Sequence, residues 1–392
     1  MLQIAPDRFH PIPGASQTAP GLLVTHVAGS IREIGREAWN ACFPGQVEDF
    51  DCLLAIEEAG IAGFTWRYVT VLADDRVVAA MPAFLCPYPL DTTLEAGLLK
   101  RGVHRIRQIF PSFLTLRLAC LGSPCTETGV AGFHPDVPEY LHETLFSKLL
   151  DGFERQATVE GCSLLGLKDI AGPTALEFTA PLSKRGYAAI DGMPTAWLDI
   201  DFDTIDAYMS RLSGGTRKDM RRKLKSFGGV RVEIRTDFGD LLPRVMELYR
   251  NTRERSQWQF EELTPAYFSG ILDHMKGRTF CCLYFVGTRL LAANLLVHDE
   301  GTLIDKFFCM DGEEGRPYNL YFLSWFTNLR YCLDHGLHRY QSGQAYYENK
   351  VRLGSKLTSN SMFFRHRNPV LQAVLRLASP LLSADETSGQ HQ

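Results

Sequence analysis

One series of elements is written twice in this chain, and that repetition restricts its possible folds more than any compositional value. Tyr68-Val69-Thr70-Val71-Leu72 and Val77-Val78-Ala79-Ala80-Met81 flank the turn-forming pair Asp74-Asp75, which predicts a β-hairpin within Trp66–Leu85. The pattern returns at residues 279–297 as Phe280 to Val286, a Gly287-Thr288 turn, and Leu290 to Val297, so that Val77-Val78-Ala79-Ala80 aligns with Leu290-Leu291-Ala292-Ala293. Each hairpin is followed by a predicted strand (Phe113–Leu121; Thr302–Met310), a loop, a helix (Pro138–Glu160; Tyr318–His335) and a further strand (Ser163–Lys168; Arg339–Ser342). Repeated order over so long a span marks a duplicated domain.

Each unit therefore combines antiparallel hairpin strands with a strand-helix-strand crossover whose two strands share a sheet. The expected class is α/β (α+β), with two tandem units, each a mixed, largely antiparallel sheet flanked by helices. The expected boundaries are a mobile Pro/Gly/Ser/Thr-rich segment over residues 1–21, a first domain over 22–185, a second over 190–369, and a C-terminal helix and polar tail over 370–392. No G-x-G-x-x-G motif supports a dinucleotide-binding alternative.

The 392 residues, 45% hydrophobic and 22% charged, suffice for two cores of ordinary size. A formal net charge of −4 gives no whole-molecule field for nucleic acid or an anionic membrane, so any anion site must be local. Of the ten cysteines, most sit in apolar runs such as Phe280-Cys281-Cys282-Leu283, none has C-x-x-C spacing, and they read as core side chains in a reducing compartment. With no signal-peptide pattern and no apolar window long enough to span a membrane, the expected location is cytoplasmic, with no membrane span. His274, His298, His335 and His338 lack partners at ligand spacing, so no metal site is expected.

Three segments are candidates for chemistry, with a plain turn the competing reading of the first and a solvated face that of the third. The stretch from Cys309 to Asn319 joins a strand to a helix and contains Gly312, Gly315 and Arg316; free amides at such a junction can hold a pyrophosphate, although Asp311, Glu313 and Glu314 oppose an anion there. Residues 341–356 gather the densest polar cluster, including Gln344, Tyr346, Tyr347, Glu348, Lys350 and Arg352. In amine acylation Glu348 could deprotonate the nucleophile, Tyr347 or Tyr346 could protonate the leaving thiolate, and Lys350 or Arg352 could bind an anionic group; a solvated loop is the competing reading. Thr216 to Lys225, with Arg217, Arg221 and Arg222, predicts an amphipathic helix with one strongly basic face.

On Ile31 to Ile34, Trp39, Trp66 and Val77–Pro82 in the first half, and on Ser213–Lys225, Leu290–Leu296, Tyr318-Asn319-Leu320-Tyr321 and Gly343–Gly354 in the second, the chain resembles GNAT-fold families of the peptidoglycan-biosynthesis-like, FemAB-like and BioF2-like groups. Tyr347-Glu348-Asn349-Lys350-Val351-Arg352-Leu353-Gly354 is the most telling run; the family pattern maps onto Glu348 and Lys350, and less cleanly onto Arg352. The resemblance implies tandem GNAT-like domains with the active cleft in or beside the second.

It further implies an acyl-CoA or acyl carrier protein thioester as co-substrate, with no tightly bound cofactor. The donor would lie along Phe308, Met310, Gly312, Gly315, Arg316 and Asn319, and Gln344, Lys350, Arg352 and Arg217 would hold the acceptor. The expected activity is direct N-acyl transfer to an amine of a small metabolite. Two alternatives stand beside it: a Fem-type aminoacyl-tRNA-dependent peptidyltransferase, for which no helical arm is visible, and a non-catalytic binding protein.

Overall fold

A computed structural model describes residues 22–89, 115–256 and 260–377. The N-terminal segment 1–21, the start of the strand expected from Phe113, and the tail beyond 377 lie outside the described residues.

The first half runs β1 (Leu23–Ala28), α1 (Arg36–Cys42), α2 (Phe50–Glu58), β2 (Thr65–Ala73), β3 (Arg76–Pro89), β4 (Thr115–Leu121), the short β5 (Gly132–Phe133), α3 (His142–Val159), β6 (Leu164–Ala171), α4 (Gly172–Lys184) and β7 (Ala188–Asp199). The second half repeats the plan. It runs α5 (Ile205–Arg211), α6 (Gly214–Leu224), β8 (Val230–Arg235), α7 (Leu242–Glu254), α8 (Pro265–His274), β9 (Thr279–Val286), β10 (Arg289–His298), β11 (Thr302–Met310), α9 (Leu320–Asp334), β12 (Arg339–Gln341), α10 (Tyr347–Arg352) and β13 (Lys356–His366).

Local chemistry explains these elements. Asp74 and Asp75 both adopt positive φ, 49° and 62°, the backbone that a two-residue hairpin turn needs, and β2 pairs antiparallel with β3 around them. In α3, Leu145, Phe146, Leu149, Leu150 and Phe153 recur at helical spacing and are buried against the sheet, each contributing roughly 1.5–3 kcal/mol relative to exposure. Ser213 caps α6 by accepting from the Thr216 amide. The two crossovers bring β4 beside β6, and β11 beside β12, in parallel.

The halves share one sheet, ordered β1-β2-β3-β4-β6-β13-β7-β12-β11-β10-β9-β8. Each half sends its last strand into the other: β13 pairs with β6, β7 pairs with β12, and β7 and β13 pair with each other at the centre. A division between residues 185 and 190 therefore separates chain segments but not packed bodies. One core lies under α3 and α4, another under α5, α6 and α9, and a third joins the halves, where Leu53 and Ile56 of α2 share a cluster with Phe268 and Ile271 of α8.

Candidate active site

The two parallel pairs behave differently past their common start. In the second half, β11 and β12 pair only from Thr302↔Arg339 to Ile304↔Gln341; β11 continues to Met310 while the other chain turns away at Gly343. Gly343, Ala345 and Tyr346 all have positive φ (84°, 75° and 53°), a concentration of constrained backbone beside an open gap. In the first half the corresponding gap is closed. The loop after β4 returns to β6, where Gly129 bridges Ile170 and donates its amide to the Asp169 carbonyl at 2.8 Å. A Cβ at Gly129 would lie 2.2 Å from the Lys168 carbonyl oxygen, so only glycine permits that approach.

That same first-half loop supplies the second half's gap with a carboxylate. Glu127 accepts from Gln341 Nε2 at 2.6 Å and from the Gln344 amide at 3.2 Å. Lys350, on α10, is buried and donates to the carbonyls of Gly343 (2.7 Å) and Gln344 (3.3 Å). Asp305, on β11, accepts through one oxygen from Asn294 Nδ2, Asn328 Nδ2 and the Tyr340 hydroxyl at 3.1–3.2 Å. Glu127 and Lys350 meet at Gly343, whose Cβ, if present, would sit 2.9 Å from Glu127 Oε1 and 3.6 Å from Lys350 Nζ; the Asp305 backbone carbonyl lies 3.9 Å from the same point, and the Asp305 carboxyl is near enough to act on both groups through its charge.

Burial sets the protonation of this cluster. It pushes Asp305 up to about 6 and raises Glu127, against the opposing pull of Lys350. It brings Lys350 down to about 8, even though Glu127 and Asp305 both favour its ammonium form. Glu127 and Asp305 are surrounded by protein yet keep part of their surface open, whereas Lys350 is almost fully covered. A carboxylate and an ammonium whose titrations approach neutrality, placed together in a gap, are suited to moving protons.

The family model of the GNAT acetyltransferase domain matches residues 215–351, a span that holds β11, β12 and α10. Residues 215–351 thus carry a GNAT acetyltransferase-type domain. In fold the chain is similar to FemX (TM-score 0.53, 16% identity, 80% of this chain and 91% of that one). It is also similar to a tandem GNAT protein from the clavulanic acid biosynthesis pathway (0.53, 12%, 89% and 99%). A third likeness is to the C-terminal domain of a putative lysylphosphatidylglycerol synthetase from Agrobacterium fabrum (0.53, 12%, 90% and 97%). At these identities the likeness is one of fold. Comparison with curated proteins gives no match.

Within this GNAT fold, the residues expected from sequence separate into distinct groups. Lys350 and Gln344 stand in the cluster just described. Glu348 does not: it is exposed, with no hydrogen bond or ion pair among the described residues. Residues two apart on a helix lie about 200° apart around it, so α10 can turn only one of Glu348 and Lys350 inward. The Tyr347 hydroxyl is committed to the Pro194 carbonyl at 2.7 Å, and Tyr346 is 70% exposed with its ring beside that of Tyr321. Arg352 is paired with Asp219 at 2.8 Å, and Arg217 donates to the Ser210 carbonyl; both belong to the surface around α6.

The expected pyrophosphate loop uses its amides internally. Those of Glu313 and Glu314 donate to the Asp311 carboxylate, that of Gly315 to the Asp311 carbonyl, and that of Gly312 to Asn251 Oδ1. The Arg255 guanidinium lies against Gly312, 2.6 Å from where a Cβ would be. Met310 receives hydrogen bonds from Thr252 and Arg255 at its carbonyl, Phe308 packs near Tyr321, and Asn319 caps α9 in left-handed backbone while its Nδ2 donates to Ser226 Oγ. Arg316 is exposed at the rim.

Glu127 and Asp305 are the functional candidates that sequence reasoning missed. The available signal for Glu127 was its place in Gly122-Ser123-Pro124-Cys125-Thr126-Glu127-Thr128-Gly129, the glycine-bounded loop following the first unit's β4. Among the described residues no group of three His, Cys, Asp or Glu side chains could hold a metal, and no helix is long and apolar enough to cross a membrane.

Proposed function

We propose that this GNAT protein transfers an acyl group from a thioester donor to the primary amine of a small molecule, with Glu127 as general base and Lys350 as the cation beside the reacting carbonyl. The meeting of Glu127 and Lys350 at Gly343, where β11 and β12 part, carries this reading. Glu127 takes a proton from the substrate ammonium, and the freed nitrogen attacks the thioester carbonyl to form the C–N bond. The tetrahedral oxyanion faces the Lys350 ammonium; the C–S bond then breaks, and the thiolate takes up the second proton shed by nitrogen. The products are an amide and a free thiol.

Acyl-CoA or an acyl carrier protein is the proposed donor. The ten free, buried cysteines support a reducing, cytoplasmic setting. The experiment is incubation of purified protein with labelled acyl-CoA and a panel of primary amines, following amide formation and thiol release together. If no amine accelerates thiol release, the thioester reading fails.

A second reading, an aminoacyl-tRNA donor, is favoured by one observation: the Asp311–Asn319 loop bonds its own amides and carries acids, while exposed Lys218, Arg221 and Lys225 on and just after α6 offer cations to a larger polyanion. Amide formation from charged tRNA, falling steeply with salt and absent with acyl-CoA, would replace the first reading with this one.

A further inference from the structure

Two lysines outside the proposed chemistry meet successive carbonyls of one loop. Lys306 Nζ donates to the Cys125 carbonyl at 2.7 Å, and Lys168 Nζ donates to the Thr126 carbonyl at 2.8 Å. The next carbonyl, that of Glu127, accepts from Thr195 Oγ1 and Asn360 Nδ2, both at 3.4 Å, on the central strands β7 and β13. Three consecutive carbonyls are thus held by strands from both halves, and the side chain that follows from this arrangement is the Glu127 carboxylate in the gap.

The lysines are poor choices for mere packing. The Lys306 side chain is 3% exposed and the Lys168 side chain 18%, and an ammonium removed from water is costly unless paired. Each has its own carboxylate: Glu48, from the first half's α1–α2 connection, for Lys306, and Asp169 for Lys168. Burial alone would lower Lys306, but Glu48 and Tyr267 more than offset it and hold it well above its ordinary value. An apolar pair of similar volume would fill this space at comparable stability. It would not fix two adjacent carbonyls.

Backbone geometry also isolates Lys306 for this task. The register of β10 against β11 shifts so that Leu296 faces Asp305, Leu295 faces Phe307, and Lys306 is the extra residue of a bulge. One strand thereby serves both sides of the site, with Asp305 at the gap and Lys306 on the loop that brings Glu127.

We propose that Lys306 and Lys168 are positioning residues, which pin the Ser123–Thr128 loop so that the Glu127 carboxylate stays beside Lys350. The proposal rests on the reading of Glu127 given above.

The test follows the side-chain nitrogen of Lys350 by NMR in the full chain with 13C,15N-labelled lysine, assigned by the signal missing from Lys350→Met. The groups facing that ammonium are Glu127 and Asp305. Glu127→Gln removes a favourable negative charge, so Lys350 should titrate lower than in the parent, by about half a pH unit or more. Lys306→Met and Lys168→Met should move it in the same direction, because a released loop withdraws the carboxylate. Simple loss of a nearby positive charge would instead move it upward, so the sign separates positioning from direct electrostatics. Glu48→Gln, which keeps volume and loosens the Lys306 anchor, should give a smaller fall and serves if either lysine variant does not fold. A rise or no change in the lysine variants and in Glu48→Gln, with Glu127→Gln lowering the titration, overturns the proposal. No change in Glu127→Gln overturns the site reading itself, and the proposal with it.

Discussion

Glu127 and Gln341 stand 214 residues apart in the chain and 2.6 Å apart in space, joining a loop of the first half to the end of the strand at which the second half's sheet opens. That contact ties the two units together at the end of β12. The first unit closes its own gap with a loop and presents from that loop a carboxylate to its neighbour.

The first prediction compares two carboxylates. Glu127→Gln should lower kcat for acyl transfer by about 100-fold or more, the usual range for a positioned general base. Glu348→Gln should leave kcat and KM within about twofold, since that side chain is exposed and unpartnered among the described residues. Steady-state kinetics with any amine found active decide between them. Equal losses in both variants would return the base to α10.

The pH profile gives a second prediction. If the reaction needs Glu127 ionised and Lys350 charged, the rate falls on the acid side at a pH above the usual carboxylate range, because burial raises Glu127. It falls again as pH rises through about 8, where Lys350 loses its proton. Lys350→Arg keeps the charge at all accessible pH and should abolish the alkaline limb of any remaining activity. A profile flat from pH 7 to 10 in the parent enzyme would exclude the ammonium from the mechanism.

The hairpins and both crossovers were legible because their signals are local: strand alternation, turn residues such as Asp74-Asp75, and the helical spacing of Leu145, Phe146, Leu149 and Leu150. The exchange of β7 and β13 was not, because pairing partners such as Asn360 and Ala171 share no local pattern. At the site, the 341–356 cluster was legible as a group, but which of its charges turns inward depends on the phase of a six-residue helix, set by packing. Glu127 lies between two threonines with no motif around it, and only the tertiary fold brings it to Gln341 and Gln344.

Gly343 supports a third prediction. Its φ of 84° disfavours any side chain, and a methyl group there would crowd Glu127 Oε1 at 2.9 Å. Gly343→Ala should destabilise the protein by about 1–3 kcal/mol in urea unfolding and reduce activity by at least about tenfold. Retained activity with lost stability would place Glu127 farther from the reacting atoms than proposed.

The exchanged strands make a fourth. A fragment of residues 22–187 lacks β13, leaving the edge of β6 unpaired, and lacks β7. It should be insoluble or unfolded alone, whereas fragments 22–187 and 188–377 expressed together should copurify as one folded complex. A cooperatively melting, monomeric first fragment would contradict the shared sheet.

Asp305 tests burial against charge. In the folded protein its carboxyl keeps its proton up to about pH 6, compared with 3.8 ordinarily, because burial outweighs the hydrogen bonds from Asn294 and Tyr340 and the pull of Lys350. Between those values unfolding releases a proton, so stability falls as pH rises, and above about 6 the folded state carries the full cost of the buried charge. Asp305→Asn removes the charge but retains an oxygen for Asn294, Asn328 and Tyr340 to donate to. The variant should therefore be more stable than the parent at pH 8, by on the order of 2 kcal/mol, and the difference should shrink as pH falls from 6 toward 4. Urea unfolding at several pH values measures this directly. A variant less stable than the parent at pH 8 would mean that attraction between Asp305 and Lys350 exceeds the cost of burying them.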